Sequence, residues 1–388
     1  MQTYHPNSPL ARHPYAKTAL VLQGGGALGA YQAGVYEVML ESGLSIDWVA
    51  GISIGAVNAA IIAGNPAELR AQRLREFWER ITSRLSVPIP PWGDEARRVF
   101  NRYSAATTIL AGQPGFFAPR FPPALTHPRG SDGATSVYDT ALLRNTLLEL
   151  VDFDLINRGP MRLSVGAVNI SNGNQVYFDS ADREIHVEHI MASGALPPGF
   201  PPVMIEGQAY WDGGLVSNTP LTYVIDTEQH QDLLVFQIDL FSARGRVPGD
   251  LFDVEQRRKE IVYSSRTRAA TERANTIQTL KRAIALLYER LPPELGQDEH
   301  MRALRELGKD RCIGVVHLIY RPHGYELQSS DYEFSRASMA DHWQAGRDDM
   351  HRTLRQPGWR AKPSRHSGIA VFDIGDNRTT RSIRYEID

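Results

Sequence analysis

The sequence predicts an α/β protein with a mostly parallel central sheet covered by helices on both faces. Two observations carry this prediction. Residues 18–63 alternate strand, loop, helix, strand, turn and helix, and residues 18–22 form an apolar run that ends at a glycine cluster. Uninterrupted apolar runs are typical of strands buried on both faces of a parallel sheet, and the alternation is typical of doubly wound sheets.

The individual elements follow from apolar spacing and from turn residues. Residues 30–41 predict a helix that Gly43 ends, residues 48–50 a second strand, and residues 56–63 a tightly packed helix. Amphipathic spacing predicts another helix over 66–85. Further along we expect helices over 139–151 and 187–194, strands over 161–168, 175–179 and 233–239, and a hairpin over 203–211.

Residues 88–135 interrupt this pattern, because they hold 8 of the 24 prolines of the chain. Proline at this density disfavours both helix and central strand, so we expect an irregular insertion over the sheet. Its aromatic residues fit an apolar lid or acyl-chain site, and equally a surface excursion that packs down on itself. These aromatic residues are Trp92, Phe100, Phe116, Phe117 and Phe121.

After residue 245 the sequence becomes mainly helical, with a long helix expected over 254–290, a strand over 315–320 and a helix over 335–354. Residues 257–290 carry nine Lys and Arg residues against three Glu. This balance indicates a solvated helix face or, alternatively, contact with an anionic membrane surface. We therefore divide the chain into a polar N-terminal arm (1–17), a catalytic domain (18–245) and a mainly helical C-terminal extension (246–388).

Composition excludes several classes of protein. A formal net charge of −2 over 388 residues argues against a general nucleic-acid binder. The single cysteine, Cys312, excludes an intramolecular disulfide framework and a cysteine-based zinc site. No apolar run approaches the ~18–20 residues of a membrane span, and the polar, proline-interrupted N-terminus is unlike a secretory signal. We expect a cytoplasmic enzyme, with peripheral membrane contact left open.

A serine lies between two glycines in Gly51-Ile52-Ser53-Ile54-Gly55, after a predicted strand and before a predicted helix. This context is typical of a nucleophile elbow, a sharp turn that tolerates only small flanking residues. The helix N-terminus also brings positive dipole character to the Ser53 oxygen. A glycine-rich packing turn is the alternative.

The loop Gly24-Gly25-Gly26-Ala27-Leu28-Gly29 follows the first strand. It fits a dinucleotide phosphate cradle poorly, because the acidic residue expected about twenty positions on, Asp47, precedes the second strand instead of ending it. An oxyanion hole fits better. Strands one and two are expected to be parallel neighbours, so the loop and Ser53 would meet at one sheet edge.

Ser53 requires a base, and Asp212-Gly213-Gly214 follows a predicted strand. A carboxylate within reach of a serine accepts its proton if burial raises its pKa enough. An ordinary tight turn is the alternative for this motif. Histidine is the competing base, but none of the candidates stands in a setting that marks it as catalytic. The candidates are His127, His186, His189, His317 and His323.

In this order, the glycine loop, the elbow and the Asp-Gly-Gly turn resemble the patatin-like phospholipase family. The stretch 192–203, Ala-Ser-Gly-Ala-Leu-Pro-Pro-Gly-Phe-Pro-Pro-Val, resembles the family's sequence before that turn. The resemblance covers roughly residues 18–225. It implies a three-layer α/β/α fold and a lipid acyl hydrolase that uses a Ser–Asp dyad without histidine, metal or organic cofactor. The C-terminal region resembles an extension of some bacterial patatin-like proteins.

Carried over by motif, the resemblance makes Ser53 the nucleophile and Asp212 the base. It assigns the oxyanion hole to Gly24, Gly25 and Gly26, and support of the elbow and loops to Gly29, Gly51, Gly55, Gly213 and Gly214. Leu28 stands where the family often has Arg or Lys, a cation that would steady the loop or attract an anionic headgroup. An oxyanion hole built from the backbone needs no side chain at that position.

Other functions stay open at this level. The same acyl-enzyme would serve an acyltransferase, and Leu28 is compatible with hydrolysis of short esters or polyesters. A non-catalytic lipid-binding or scaffold protein would use the pocket and the basic segment 257–290 without turnover. A dinucleotide-dependent enzyme is the most distant alternative.

Overall fold

A nine-stranded sheet forms the middle of the computed structural model, which describes residues 13–85, 93–291, 299–309, 311–326, 328–363 and 368–373. Eight strands run in the order β11-β10-β9-β1-β2-β5-β8-β7, and β6 pairs with β5. β3 and β4 form a separate ribbon. The strands are β1 (Lys17–Leu22), β2 (Trp48–Ile52), β3 (Ala118–Pro119), β4 (Tyr138–Asp139), β5 (Arg162–Asn169), β6 (Gln175–Asp179), β7 (Val203–Ile205), β8 (Gln208–Asp212), β9 (Leu233–Asp239), β10 (Ile313–Ile319) and β11 (Ile369–Asp373).

Helices cover both faces of this sheet, as the sequence predicts for a three-layer α/β/α fold. They are α1 (Ala30–Glu41), α2 (Ile54–Ala63), α3 (Ala67–Ile81), α4 (Gly93–Ala111), α5 (Ala141–Leu150), α6 (Phe153–Arg158), α7 (Val187–Ser193), α8 (Leu221–Thr227), α9 (Leu251–Tyr263), α10 (Thr267–Glu289), α11 (Glu299–Leu307) and α12 (Arg336–Arg355). Along β1, Leu20 and Leu22 belong to the large core under α1, α2 and α12, whereas Ala19 and Val21 belong to a smaller core under α8 and α10.

The strands β10, β9, β1, β2 and β5 are parallel to one another, whereas β6 and β8 pair with β5 in the antiparallel direction. In this register Leu22, the last residue of β1, lies opposite Gly51 of β2 and Ile238 of β9. The glycine loop and the elbow therefore leave the sheet side by side at its carboxyl edge, where α/β proteins bind ligands. The predicted neighbour relationship of the first two strands is confirmed.

The expectation of an irregular insertion over 88–135 is wrong in part, because α4 occupies residues 93–111. The prolines of this segment lie at 88–91 and at 114–128, which leaves the intervening sequence free to form a helix. Phe116 and Phe117 are buried and make ring contacts with Phe200 and Phe334, as in the packed alternative. Trp92 lies outside the described residues.

The long helix expected over 254–290 is two helices, α9 and α10, separated at Arg266, whose φ is 49°. A left-handed backbone conformation of this kind interrupts a right-handed helix. The C-terminal region also contributes β10 and β11 to the central sheet, so it shares one sheet with the residues before 245. Within the described ranges, no helix combines the length and the apolar character needed to cross a bilayer.

Several cations of the basic segment 257–290 are engaged in ion pairs. Arg257 and Arg258 pair with glutamates of α9, Arg268 pairs with Glu272, and Arg273 pairs with Asp226 of α8. Paired surface charges present little net positive potential to an anionic surface, so this pattern favours the solvated-face interpretation.

Candidate active site

Ser53 lies in the turn between β2 and α2, with a φ of 55° and a ψ of −124°. A positive φ is rare for a residue with a side chain and is a recurring feature of strained turns at functional sites. The flanking glycines are required by space. A Cβ on Gly51 would lie 2.3 Å from the carbonyl oxygen of Gly55, and a Cβ on Gly55 would lie 2.3 Å from that of Leu22. The geometry is that of a nucleophile elbow.

Asp212 meets Ser53 because of the sheet register. Ile52, the residue before the serine, lies opposite Gly166 of β5, and Asp212 at the end of β8 lies opposite the next residue, Ala167. The Ser53 side chain lies near enough to the Asp212 carboxylate to lower the pKa of that group. The two residues that the sequence proposes as a dyad are thus neighbours.

The environment of Asp212 changes its acidity. The residue is 1% exposed, and burial raises the pKa of its carboxyl group to about 7. The neighbouring Ser53 side chain and the Gly214 N–H, which donates to Asp212 at 2.7 Å, act in the opposite direction by stabilising the charged form. Desolvation dominates, which places the pKa in the range of an effective general base at neutral pH.

The glycine loop lies directly against Ser53, since a Cβ on Gly24 would be 3.0 Å from the Ser53 Cβ. The Gly24 N–H itself donates to the carbonyl oxygen of Asn218 at 3.2 Å. In the described part of the chain, no group accepts a hydrogen bond from the N–H of Gly25 or Gly26. Of the three predicted oxyanion donors, these two are available, and Gly24 instead allows the close approach of loop and elbow.

Two residues that organise the site have no role in the sequence interpretation. Ser193 accepts a hydrogen bond from the Ser53 N–H at 3.1 Å and donates to the Gly166 carbonyl at 2.7 Å. Asn218 binds both main-chain groups of Gly24. Its carbonyl accepts from the Gly24 N–H, and its side chain donates to the Gly24 carbonyl at 2.9 Å. Ser193 lies inside the stretch 192–203 that the sequence singles out, whereas Asn218 has no local signal.

Two of the glycines that the motifs single out for support are closely packed. A Cβ on Gly213 would lie 2.6 Å from the Gly166 carbonyl oxygen, and one on Gly29 would lie 2.7 Å from Ile54. Gly214 donates to Asp212, as described above. Leu28 is 3% exposed and packs in the large core, so its side chain is directed into the core.

The candidate histidines are engaged away from Ser53. His127 contacts the Pro122 carbonyl, His189 accepts from the His186 N–H at the start of α7, and His317 pairs with Asp239. His323 stacks on a neighbouring tyrosine. Among the residues described, no three His, Cys, Asp or Glu side chains form a group that could hold a metal ion.

Solved structures that resemble this chain have low sequence identity to it. VipD from Legionella pneumophila aligns with a TM-score of 0.39 and 15% identity, over 88% of this chain and 67% of VipD. The type III effector protein ExoU from Pseudomonas aeruginosa aligns with a TM-score of 0.25 and 14% identity, over 68% of this chain and 54% of ExoU.

Curated proteins match over short segments. The triacylglycerol lipase SDP1L of Arabidopsis thaliana is 43% identical over 51 residues, which is 13% of this chain and 6% of the lipase. The human patatin-like phospholipase domain-containing protein 6 is 43% identical over 66 residues, which is 17% of this chain and 5% of that protein. The chain therefore spans only a small part of the length of these relatives.

Two family models cover most of the sequence. A model described as Patatin-like phospholipase matches residues 20–225, just over half of the chain. A second one, DUF3734, described as Patatin phospholipase, matches residues 261–366. The first match contains the glycine loop, the elbow and the Asp-Gly-Gly turn whose geometry is described above. The chain belongs to the patatin-like phospholipase family.

Proposed function

We propose that this protein is a lipid acyl-ester hydrolase in which Ser53 is the nucleophile and Asp212 is the general base. The observation that carries the proposal is the juxtaposition, set by the sheet register, of Ser53 with a buried carboxylate whose pKa is raised to about 7. A serine hydroxyl needs a neighbouring base to become a nucleophile, and an aspartate at its ordinary pKa is a weak one.

In the first half of the proposed reaction, Asp212 takes the proton from Ser53 as the serine oxygen attacks the ester carbonyl. The N–H groups of Gly25 and Gly26 stabilise the negative charge that develops on the carbonyl oxygen. The tetrahedral intermediate then collapses, the ester C–O bond breaks, and the leaving alcohol receives the proton from Asp212. The product of this half-reaction is an acyl-enzyme on Ser53.

In the second half, water replaces the alcohol. Asp212 accepts a proton from the water as its oxygen attacks the acyl carbonyl, and the same two N–H groups stabilise the second oxyanion. Collapse of this intermediate releases the fatty acid and returns the proton to Ser53. Every step uses only groups of this chain, the ester and water.

The substrate class rests on family membership and on the relatives. The curated relatives include a triacylglycerol lipase and a patatin-like phospholipase domain-containing protein, so a lipid ester is the proposed substrate. The buried Leu28 supplies no cation for an anionic headgroup. Neutral lipid esters therefore belong in the substrate panel beside phospholipids.

A fluorophosphonate probe and a p-nitrophenyl acyl ester test the proposal together. We expect the probe to label Ser53, as read by peptide mass spectrometry, and we expect both labelling and turnover to be lost in Ser53→Ala. Asp212→Asn should lower turnover by ~10³-fold or more, because the base is removed.

Ser42→Ala is the control for the serine variant, because it removes a serine hydroxyl that donates to the Met39 carbonyl at the end of α1, away from Ser53. Its turnover should equal that of the wild type. Wild-type turnover in Ser53→Ala or Asp212→Asn would refute the dyad. Folded wild-type protein that binds lipid vesicles without labelling or turnover would support the lipid-binding alternative instead.

A further inference from the structure

We propose that the C-terminal region positions the oxyanion loop of the proposed hydrolase through a clamp formed by Lys259, Tyr263 and the turn Ser330–Tyr332. This inference rests on the proposed function, because it concerns the same glycine loop. It gives a role to residues that lie outside the match at 20–225. The clamp residues touch the loop or its supports, so they are positioning residues.

The first contact of the clamp is made by the Asp331 carbonyl. A Cβ on Gly26 would lie 2.1 Å from that oxygen and 3.1 Å from its carbon, so the turn lies directly on the loop. Gly26 has a φ of 55°, a backbone conformation that favours glycine. Both the conformation of Gly26 and the main chain packed against it therefore require glycine at one of the two proposed oxyanion donors.

An ion pair fixes this turn to α9. The Lys259 ammonium group lies 2.7 Å from the Asp331 carboxylate and donates to the Gln328 carbonyl at 2.8 Å. It also lies 5.2 Å from the centre of the Tyr332 ring. About a quarter of each charged side chain is exposed. Lys259 thus contacts three residues of the segment 328–332, including Asp331, which lies on the loop.

The end of α9 supplies the second contact. The Tyr263 carbonyl accepts hydrogen bonds from the Gln23 side chain at 3.0 Å and from the Asn218 side chain at 3.1 Å. Asn218 in turn binds both the N–H and the carbonyl oxygen of Gly24. The Tyr263 carbonyl therefore orients the side chains of Gln23, which precedes Gly24, and of Asn218, which binds Gly24.

The position of the clamp has a catalytic consequence. Oxyanion donors act because they are fixed before charge develops, and small misplacements weaken them. A loop of three consecutive glycines has little intrinsic stiffness. Its order must come from outside the loop, and the clamp contacts Gly26 directly and Gly24 through Asn218. The C-terminal region thereby completes the proposed catalytic centre.

Three variants test this inference: Lys259→Met, Asp331→Asn and the double variant. We expect each to lower kcat about tenfold with KM within twofold of the wild type, since complete loss of one oxyanion donor costs ~10²–10³ in kcat. The double variant should be no slower than the slower single variant, because the pair acts as a unit. A merely structural contact would lower the thermal midpoint and leave kcat unchanged below it.

Arg258→Met is the matched control, because Arg258 is the adjacent residue on α9 and pairs with Glu255 at the exposed surface. Its kcat should equal that of the wild type. If Asp331→Asn does not fold, Lys259→Met and Lys259→Gln carry the test. Wild-type kcat in folded Lys259→Met would overturn the clamp.

Hydrogen exchange separates failure of the clamp from failure of the proposed function. In Lys259→Met we expect amides in a peptide spanning residues 23–30 to exchange at least fivefold faster than in the wild type, with α12 unchanged. This readout needs no turnover. An inactive wild-type protein would refute the hydrolase proposal alone, whereas unchanged exchange in the loop would overturn the clamp.

Discussion

The hydroxyl of Ser193 accepts a hydrogen bond from the main-chain N–H of Ser53, with 3.1 Å between nitrogen and oxygen. The same hydroxyl donates to the Gly166 carbonyl at 2.7 Å. Ser193 is fully buried at the end of α7. One side chain therefore connects the strained turn that carries Ser53 to β5, the strand that pairs with the strand ending at Asp212.

Removing that hydroxyl should impair catalysis more than stability. In Ser193→Ala we expect kcat to fall about tenfold, because the elbow loses the bond that fixes its φ and ψ, with KM unchanged. Ser42→Ala also removes a buried hydroxyl that donates to a main-chain carbonyl, but far from the elbow. Steady-state kinetics of the two variants would contradict this role if both retained wild-type kcat.

The pH dependence of the reaction should report Asp212. Because the base acts as the carboxylate and burial raises its pKa to about 7, we expect kcat/KM to rise with pH and to level off above about 7. Initial rates between pH 5 and 9, with an ester whose leaving group does not titrate in that range, would show the acid limb. A limb centred near the ordinary aspartate pKa would mean that Asp212 is solvated in the working enzyme.

The same shift predicts a pH-dependent effect on stability. Between the ordinary aspartate pKa and about 7, the folded protein keeps a proton on Asp212 that the unfolded chain has lost. The free energy of unfolding therefore falls with rising pH through this window. Asp212→Asn removes this cost, so the variant should melt above the wild type at pH 8 and close to it at pH 4.

Thermal unfolding at the two pH values measures the difference. The exposed Asp182 provides the control, since Asp182→Asn removes a carboxylate that does not lose its solvent on folding. A constant difference between Asp212→Asn and wild type across this range would show that ionisation of Asp212 does not oppose folding.

Gly26→Ala should abolish most activity because of a steric clash, in addition to the cost of a positive φ for alanine. Gly26 and Gly173 both have a positive φ, of 55° and 70°, but only Gly26 has main chain where a Cβ would lie. Positive φ costs an alanine ~1 kcal/mol, so Gly173→Ala should lose a little stability and no activity. In Gly26→Ala the Asp331 main chain must also move, and we expect kcat to fall at least a hundredfold.

Assays of both variants at a temperature where each is folded decide this point. Equal activity of Gly26→Ala and Gly173→Ala would mean that the loop tolerates displacement of the turn Ser330–Tyr332. It would also remove the steric basis for the clamp.

The fold class could be predicted from the sequence because its signals are local. The apolar run of β1, the glycines after it and the small residues around Ser53 each restrict a few consecutive residues to one conformation. The error over 93–111 arose because proline content was averaged over the whole segment 88–135. That average concealed a proline-free stretch that is long enough for α4.

The sequence by itself determined the residue types of the site: Ser53 between glycines, three glycines after the first strand, and Asp212 in a glycine turn. Each is required by the chemistry or by the local backbone, so its motif is visible without the fold. The contacts that surround these residues were decided only by the tertiary structure. Ser53 and Ser193 are 140 positions apart in the chain, and the Gly26 donor lies beneath the carbonyl of Asp331.

Hydrogen bonds of this kind leave no local pattern, because a carbonyl or a hydroxyl has the same chemistry at every position of the chain. Which N–H of the glycine loop is free depends on where the Asn218 carbonyl comes to lie. The pKa of Asp212 depends on how completely strands and turns from distant segments exclude water. Sequence therefore supplied the candidate reacting groups, and packing decided their orientation, the acidity of Asp212 and which N–H groups of the glycine loop have no acceptor.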